Sequence, residues 1–248
     1  MSANIPLLIS VFLIALLYAA VGHGGASGYL AVMSLLAVQP NEMATTALML
    51  NLVVASIAVW SFARAGHLRM PLAWPFLAGS VPAAWIGGWM HFSAPIYRVL
   101  LAMVLVVAAA RLAMKWSPVA EGSLKPPPRS ALALSIGGGI GWLSGAVGVG
   151  GGIFLSPLLM GLRWATARQT AAVSAVFVLV NSMAGLLGRM AGSRLEYGST
   201  WPLLIAATAG GMAGAHLGAR NLSEAWLRKA LALVLMIAAG KLMFTLGK

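Results

Sequence analysis

Gly145-Ala146-Val147-Gly148-Val149-Gly150-Gly151-Gly152 lies between two apolar runs, Leu132 to Val147 and Ile153 to Leu162. Glycine lets the backbone leave helical geometry and lets other groups approach closely. Three or four glycines within five residues are more than close helix packing requires. A helix broken inside hydrocarbon frees N–H groups that lipid cannot satisfy, so such a break survives only where protein or a polar cavity surrounds it. The short helix that follows starts with free amides and the positive end of its dipole. That end favours an anion by up to ~2 kcal/mol when partly buried.

Composition fixes the solvent around this break. The chain has 248 residues, 60% of them hydrophobic and 8% charged, against roughly 25% charged in a soluble domain. Four acids and sixteen bases cannot cover a water-facing surface. The sixteen bases stand singly at the ends of apolar segments, without the basic stripe or aromatic platform of a nucleic-acid interface. They read as anchors in a lipid bilayer, and no nucleic-acid partner is expected. The absence of cysteine removes disulfides, thiolate metal sites and cysteine nucleophiles. Leu7 to Ala20 lacks a basic leader and recurs at Leu132 to Val147, so it reads as a structural helix and not a signal peptide.

The fold class expected is all-α, a polytopic helical membrane protein. Ten apolar stretches run along the chain, and those near Ser27 and Ile153 are too short for a full crossing, which takes about 20 residues. A hydrophilic linker containing Pro126-Pro127-Pro128 divides the sequence. Residues 1–115 form a first transmembrane repeat, 116–130 a cytoplasmic linker and 131–248 a second repeat. The halves are related: Gly22, Gly24 and Gly25 precede Gly148, Gly150 and Gly151 by 126 positions, and Trp74-Pro75 precedes Trp201-Pro202 by 127. A nearly constant offset across both halves is a repeat. If each glycine-centred helix pair crosses twice or dips in and returns, each half crosses an odd number of times and the two are inverted. Eleven bases then fall in the cytoplasm and five outside, against ten and six if the pair crosses once. The positive-inside rule favours inversion with both termini outside, and inverted repeats are common in secondary transporters.

Two inverted halves bring two glycine breaks together at the midplane, the transporter pattern for an anion. The candidate substrate-binding residues are Gly22, His23, Gly24, Gly25 and Ser27 from the first break and Gly148, Gly150, Gly151 and Gly152 from the second. His23 is placed to donate or titrate. The mid-helix amides Asn51 and Asn181 and the hydroxyls of Thr46 and Ser174 are candidates for the path. Interhelical bonding is the ordinary use of an amide, and a hydroxyl often bonds its own helix. No acid lies deep in an apolar segment, and none of the bases is placed there by sequence. The expected substrate is therefore a small anion met by dipoles, hydroxyls and amides, with no metal and no cofactor. Small residues four apart, Gly79, Ala83 and Gly87 and again Gly210, Gly214 and Gly218, read as packing stripes that also permit a homodimer. Trp60, Trp74, Trp116 and Trp201 read as aromatic belts.

The run from Gly148 to Pro157, the following Ala171-Ala172-Val173-Ser174, and Asn181-Ser182-Met183-Ala184-Gly185 resemble the sulfite exporter TauE/SafE family of membrane permeases. The likeness extends over essentially the whole chain. It implies transport, often export, of sulfite, sulfonates or related organic anions across a bacterial inner membrane. The first copy departs from the pattern, with Ala26 and Ser27 opposite Gly152 and Ile153 and with the added His23. Two other readings stand beside alternating access: a passive anion channel, and an intramembrane hydrolase using Ser144 and His216 as nucleophile and base.

Overall fold

The computed structural model describes residues 5–20, 24–113, 121–193, 195, 200–218, 236 and 239–240. Among them it is helical, with no strand: α1 (Ile5–Ala20), α2 (Ala26–Leu35), α3 (Pro40–Arg64), α4 (Met70–Trp89), α5 (Ala94–Ala113), α6 (Ser130–Val147), α7 (Gly152–Gly161), α8 (Ala167–Ala191) and α9 (Trp201–Gly218). By length and composition α3, α5, α6 and α8 can each cross a membrane. Large apolar side chains on the outside, among them Trp60, Trp74, Trp201 and Ile205, are exposed, as a lipid-facing surface requires. The chain is a polytopic helical membrane protein.

The two halves repeat in local geometry. Both α2 and α7 have 10 residues, and both α3 and α8 have 25. Positive backbone φ recurs at matching places: Gly25 and Gly151, Ala37 and Arg163, Gly66 and Ser193. The starts of the long helices differ in chemistry. Pro40 opens α3, where its missing N–H costs nothing. A capping box opens α8, with the Gln169 amide donating to Thr166 Oγ1 and the Thr166 amide to Gln169 Oε1.

Packing interleaves the halves. Gly137, Gly141 and Gly145 of α6 lie directly against the backbone at Phe76, Ser80 and Ala84 of α4. Each step of four on one helix matches a step of four on the other, so α4 and α6 run parallel, backbone to backbone. Gly210 and Gly214 of α9 lie in the same way on Phe12 and Leu16 of α1. The expected stripes thus do pack helices, since Gly79 and Gly87 also meet backbone of α6. In lipid no hydrophobic force draws helices together, and close backbone approach through small residues supplies the attraction instead. The first helix of each half is clamped to the fourth helix of the other. The long helices α3 and α8 cross antiparallel: Leu48 lies beside Gly185, while Asn51, three residues later, bonds Ser182, three residues earlier.

These contacts define two faces. The Lys125 amide donates to the Arg163 carbonyl at 2.8 Å, which brings the linker ahead of α6 beside the turn after α7. Helices α6 and α7 therefore form a hairpin that enters and leaves on one face, the linker face. Ten residues of α7 rise about 15 Å, half of a ~30 Å hydrocarbon core. The glycine turn between the two helices follows directly on the stretch of α6 where Trp142 and Ala146 lie against Gly87 of α4. Helix α4, parallel to α6, starts on the linker face and ends with Trp89 on the opposite face.

Two outcomes test this arrangement. The chain has no native cysteine, so single cysteines report sidedness directly. Gly66→Cys and Gly122→Cys, where an added Cβ meets nothing within 4 Å, should react with an impermeant maleimide from one side and Ser93→Cys from the other. Gly145→Val drives a side chain into the Ala84 backbone and should lower thermal stability in detergent by more than about 1–3 kcal/mol, the ordinary cost of overpacking. Gly139→Ala, which has open space, should leave the melting temperature unchanged.

Candidate functional site

Both short helices begin at a glycine in the left-handed region, Gly25 with φ 87° and Gly151 with φ 83°, and neither has a side-chain cap. The first turn of α2 closes with the amides of Gly28 and Tyr29 on the Gly25 carbonyl. That of α7 closes with Phe154 and Leu155 on the Gly151 carbonyl. The amides ahead of these are those that a helix leaves without an acceptor of its own.

The two breaks converge on one side chain. A Cβ built on Gly24 would stand 2.9 Å from Asn51 Oδ1 and 2.7 Å from Val178 Cγ1. One built on Gly150 would stand 2.9 Å from the same Val178 carbon and run into Asn51 Nδ2. The Asn51 carboxamide is thus wedged between the first and second glycine turns, with Val178 of α8 beside it. Its Nδ2 donates to Ser182 Oγ at 3.2 Å, while its Oδ1 is buried with no hydrogen-bond partner among the described residues. Which end of the amide faces which neighbour is set by such bonds, and a serine hydroxyl can donate as well as accept. Asn51 can therefore turn its NH₂ from the second break to the first, with Ser182 donating to its oxygen.

Beside this wedge lies a void bounded by Tyr18, Gly24, Ala26, Ser27, Val149 and Val178, with Gly25, Gly152 and Ile153 completing it. Its volume is about 10 Å³, room for one water at most. The Tyr18 hydroxyl and Ser27 Oγ are 2.8 Å apart on the first-half wall, so hydroxyls gather on that side. Val149, Ile153 and Val178 make the other wall apolar.

Among the expected residues, Gly24, Gly25, Ser27, Asn51, Gly150, Gly151 and Gly152 come together around these two turns. Gly148 lies a turn away against Ala44 of α3. Ser174 shares a 2.9 Å hydrogen bond with Ser156, whose hydroxyl also bonds the Gly152 carbonyl at 2.8 Å; it braces α7 from behind. Asn181 donates to the Phe177 carbonyl of its own helix, leaving Oδ1 buried without a partner among the described residues. Thr46 Oγ1 is likewise buried and without a partner among the described residues. Gly22 and His23 lie outside the described residues, as does the side chain of His216. Ser144 is fully buried.

Four contributors are ones that sequence reasoning missed. Ser182 was in view only as the neighbour of Asn181, yet it is Ser182 that meets Asn51. Tyr18 and Val178 carried no signal in an apolar run. Arg189 reads by sequence as a base at the outer end of α8, but it is fully buried, with Nη2 donating to the Ala146 carbonyl at 3.1 Å.

Comparison with known proteins agrees with this architecture. A family model described as "Sulfite exporter TauE/SafE" matches residues 7–242. A protein of Sinorhizobium fredii (strain NBRC 101917 / NGR234) described as "Probable membrane transporter protein y4hK" is 43% identical over 244 residues, covering 97% of this chain and 98% of its own length. No solved structure matches. The chain belongs to the TauE/SafE sulfite exporter family and is a membrane transporter of that type.

Proposed function

We propose that the protein exports a small sulfur-containing anion, such as sulfite or an organosulfonate, from a bacterial cytoplasm by alternating access around the two glycine turns. The observation that carries this reading is the convergence of both turns on Asn51. Two helix starts aim their amides into the middle of the membrane, and a reversible amide between them supplies a donor of fixed position. A substrate held this way needs no buried fixed cation at the turns themselves, because helix-start amides and dipoles favour negative charge.

The void of about 10 Å³ is too small for a four-atom oxyanion, so this conformation is a closed one. Loading requires the turns to separate. The antiparallel crossing of α3 and α8 supports reading the halves as inverted repeats, the arrangement in which opening toward one face mirrors opening toward the other. Arg64, Arg69, Lys125, Arg129, Arg163 and Arg168 gather at the linker face, which the positive-inside rule assigns to the cytoplasm of the bacterial inner membrane. There Arg64 lies 4.5 Å over the Trp60 ring, a cation–aromatic contact suited to the lipid boundary.

Proteoliposomes containing the purified protein should take up labelled sulfite or an alkylsulfonate with saturation; discrete single-channel currents in its place would assign a passive channel. Gly24→Val and Gly150→Val should abolish flux while the protein still inserts. Asn51→Ala should raise the KM for the anion by about 10–100-fold, the range for losing one hydrogen bond to a charged partner. Unimpaired flux in both valine variants would remove the site from the glycine turns.

A further inference from the structure

Asn51 and Val178 are a matched pair. Helices α3 and α8 have the same length and align at an offset of 127, which places Val178 opposite Asn51. Each of the two side chains meets both a Cβ built on Gly24 and one built on Gly150. Both turns are thus flanked by the same two groups, one an amide and the other an isopropyl group. Val178 borders the void as well.

The exchange of polar for aliphatic recurs along the breaks. At the offset of 126 that relates α2 to α7, Ser27 corresponds to Ile153 and Tyr29 to Leu155. Tyr29 Oη stands 2.9 Å from a Cβ built on Gly25 and is buried with no hydrogen-bond partner among the described residues. Asn51 Oδ1, beside Gly24, is in the same condition. Two unmet polar groups therefore adjoin the first turn. At the second turn a Cβ built on Gly151 meets Phe177 and Ile140, and one built on Gly152 meets Val178. The serines beside that turn are engaged, Ser182 with Asn51 and Ser156 with Ser174, and none of the three borders the void. An anion with oxygen on every side would lose water against the aliphatic wall and gain no hydrogen bond there. A carbon substituent gains by the same burial.

We infer that Val178 sets the specificity of the site. The substrate is a small organic anion with its oxyanion head toward Asn51 and the first turn and its carbon substituent against Val178, Val149 and Ile153. This rests on the proposed anion transport and narrows its substrate class. A purely inorganic oxyanion, sulfite included, is held less well, because the flank that would bind its far side carries valine where the first half carries asparagine.

The test compares labelled propane-1-sulfonate with labelled 2-hydroxyethanesulfonate, which has the same charge and nearly the same size, and with labelled sulfite, in proteoliposomes of the full chain. Wild type should favour propane-1-sulfonate over the hydroxylated anion by about 10–100-fold in kcat/KM, the range in which an apolar pocket rejects an added hydroxyl. V178N, which puts an amide on both flanks, should lower that ratio by about tenfold and raise kcat/KM for sulfite. Should V178N fail to assemble, V178A, which removes carbon and adds nothing, should lower the ratio by about threefold or more. An unchanged ratio in a variant that still carries flux would show that Val178 only packs the turns, and overturns the inference. A wild type that moves the hydroxylated anion or sulfite as well as propane-1-sulfonate overturns it too, and leaves anion transport standing. Saturable flux of none of the three removes the transport reading itself, and this inference with it.

Discussion

Main-chain amides cannot be left facing lipid, and here the chain leaves helical geometry between α6 and α7, inside the helix bundle. In the second half that requirement is met by enclosure. Gly150 and Gly151 take up left-handed angles, and Asn51, Val178 and Phe177 fill the space beside them so closely that no added side chain fits. Helix α7, which starts at that turn, is only 10 residues long. The remainder of the fold can be read as what is needed to keep such a turn dry, surrounded and facing its counterpart.

What surrounds it is a pair of backbone-to-backbone seams. The α4–α6 and α1–α9 contacts run through glycine at one-turn spacing, so main chains touch where side chains normally intervene. Close-packed surfaces of this kind shift between discrete arrangements and do not deform smoothly. Each seam joins the first helix of one half to the fourth helix of the other, so the sequence halves cannot part as independent bodies. The elements that bear on the void are the short hairpin helices and the crossing of α3 and α8. That crossing carries the polar bond from Asn51 to Ser182 among apolar neighbours.

The polar chemistry around the turns is uneven although the backbone is nearly repeated. Tyr18 and Ser27 give the first-half wall hydroxyls, whereas Val149 and Ile153 give the second-half wall carbon. Among the described residues the buried cation, Arg189, also sits on one side, near the end of α6. A duplicated scaffold supplies symmetry of shape, and substitution within each copy then allows its two approaches to treat a ligand differently.

Much of the fold was legible in the residues because the bilayer leaves few alternatives. Sixty per cent hydrophobic residues with four acids exclude a water-facing surface, constant offsets of 126 and 127 mark the repeat, and clustered glycines mark the two breaks. The order of short and long helices and the small-residue stripes follow from the same local rules. Side-chain partners did not follow. Asn51 and Asn181 look alike as mid-helix amides, but only the angle at which α3 crosses α8 selects Ser182 as the partner of Asn51 and leaves Asn181 on its own helix. Arg189 looked like an anchor because sequence gives its distance from a helix end, whereas its burial depends on how α4 and α6 close over that end. Periodicity and composition act along the chain and fix which segments enter the membrane; which polar groups meet there is decided by contacts between segments far apart in sequence.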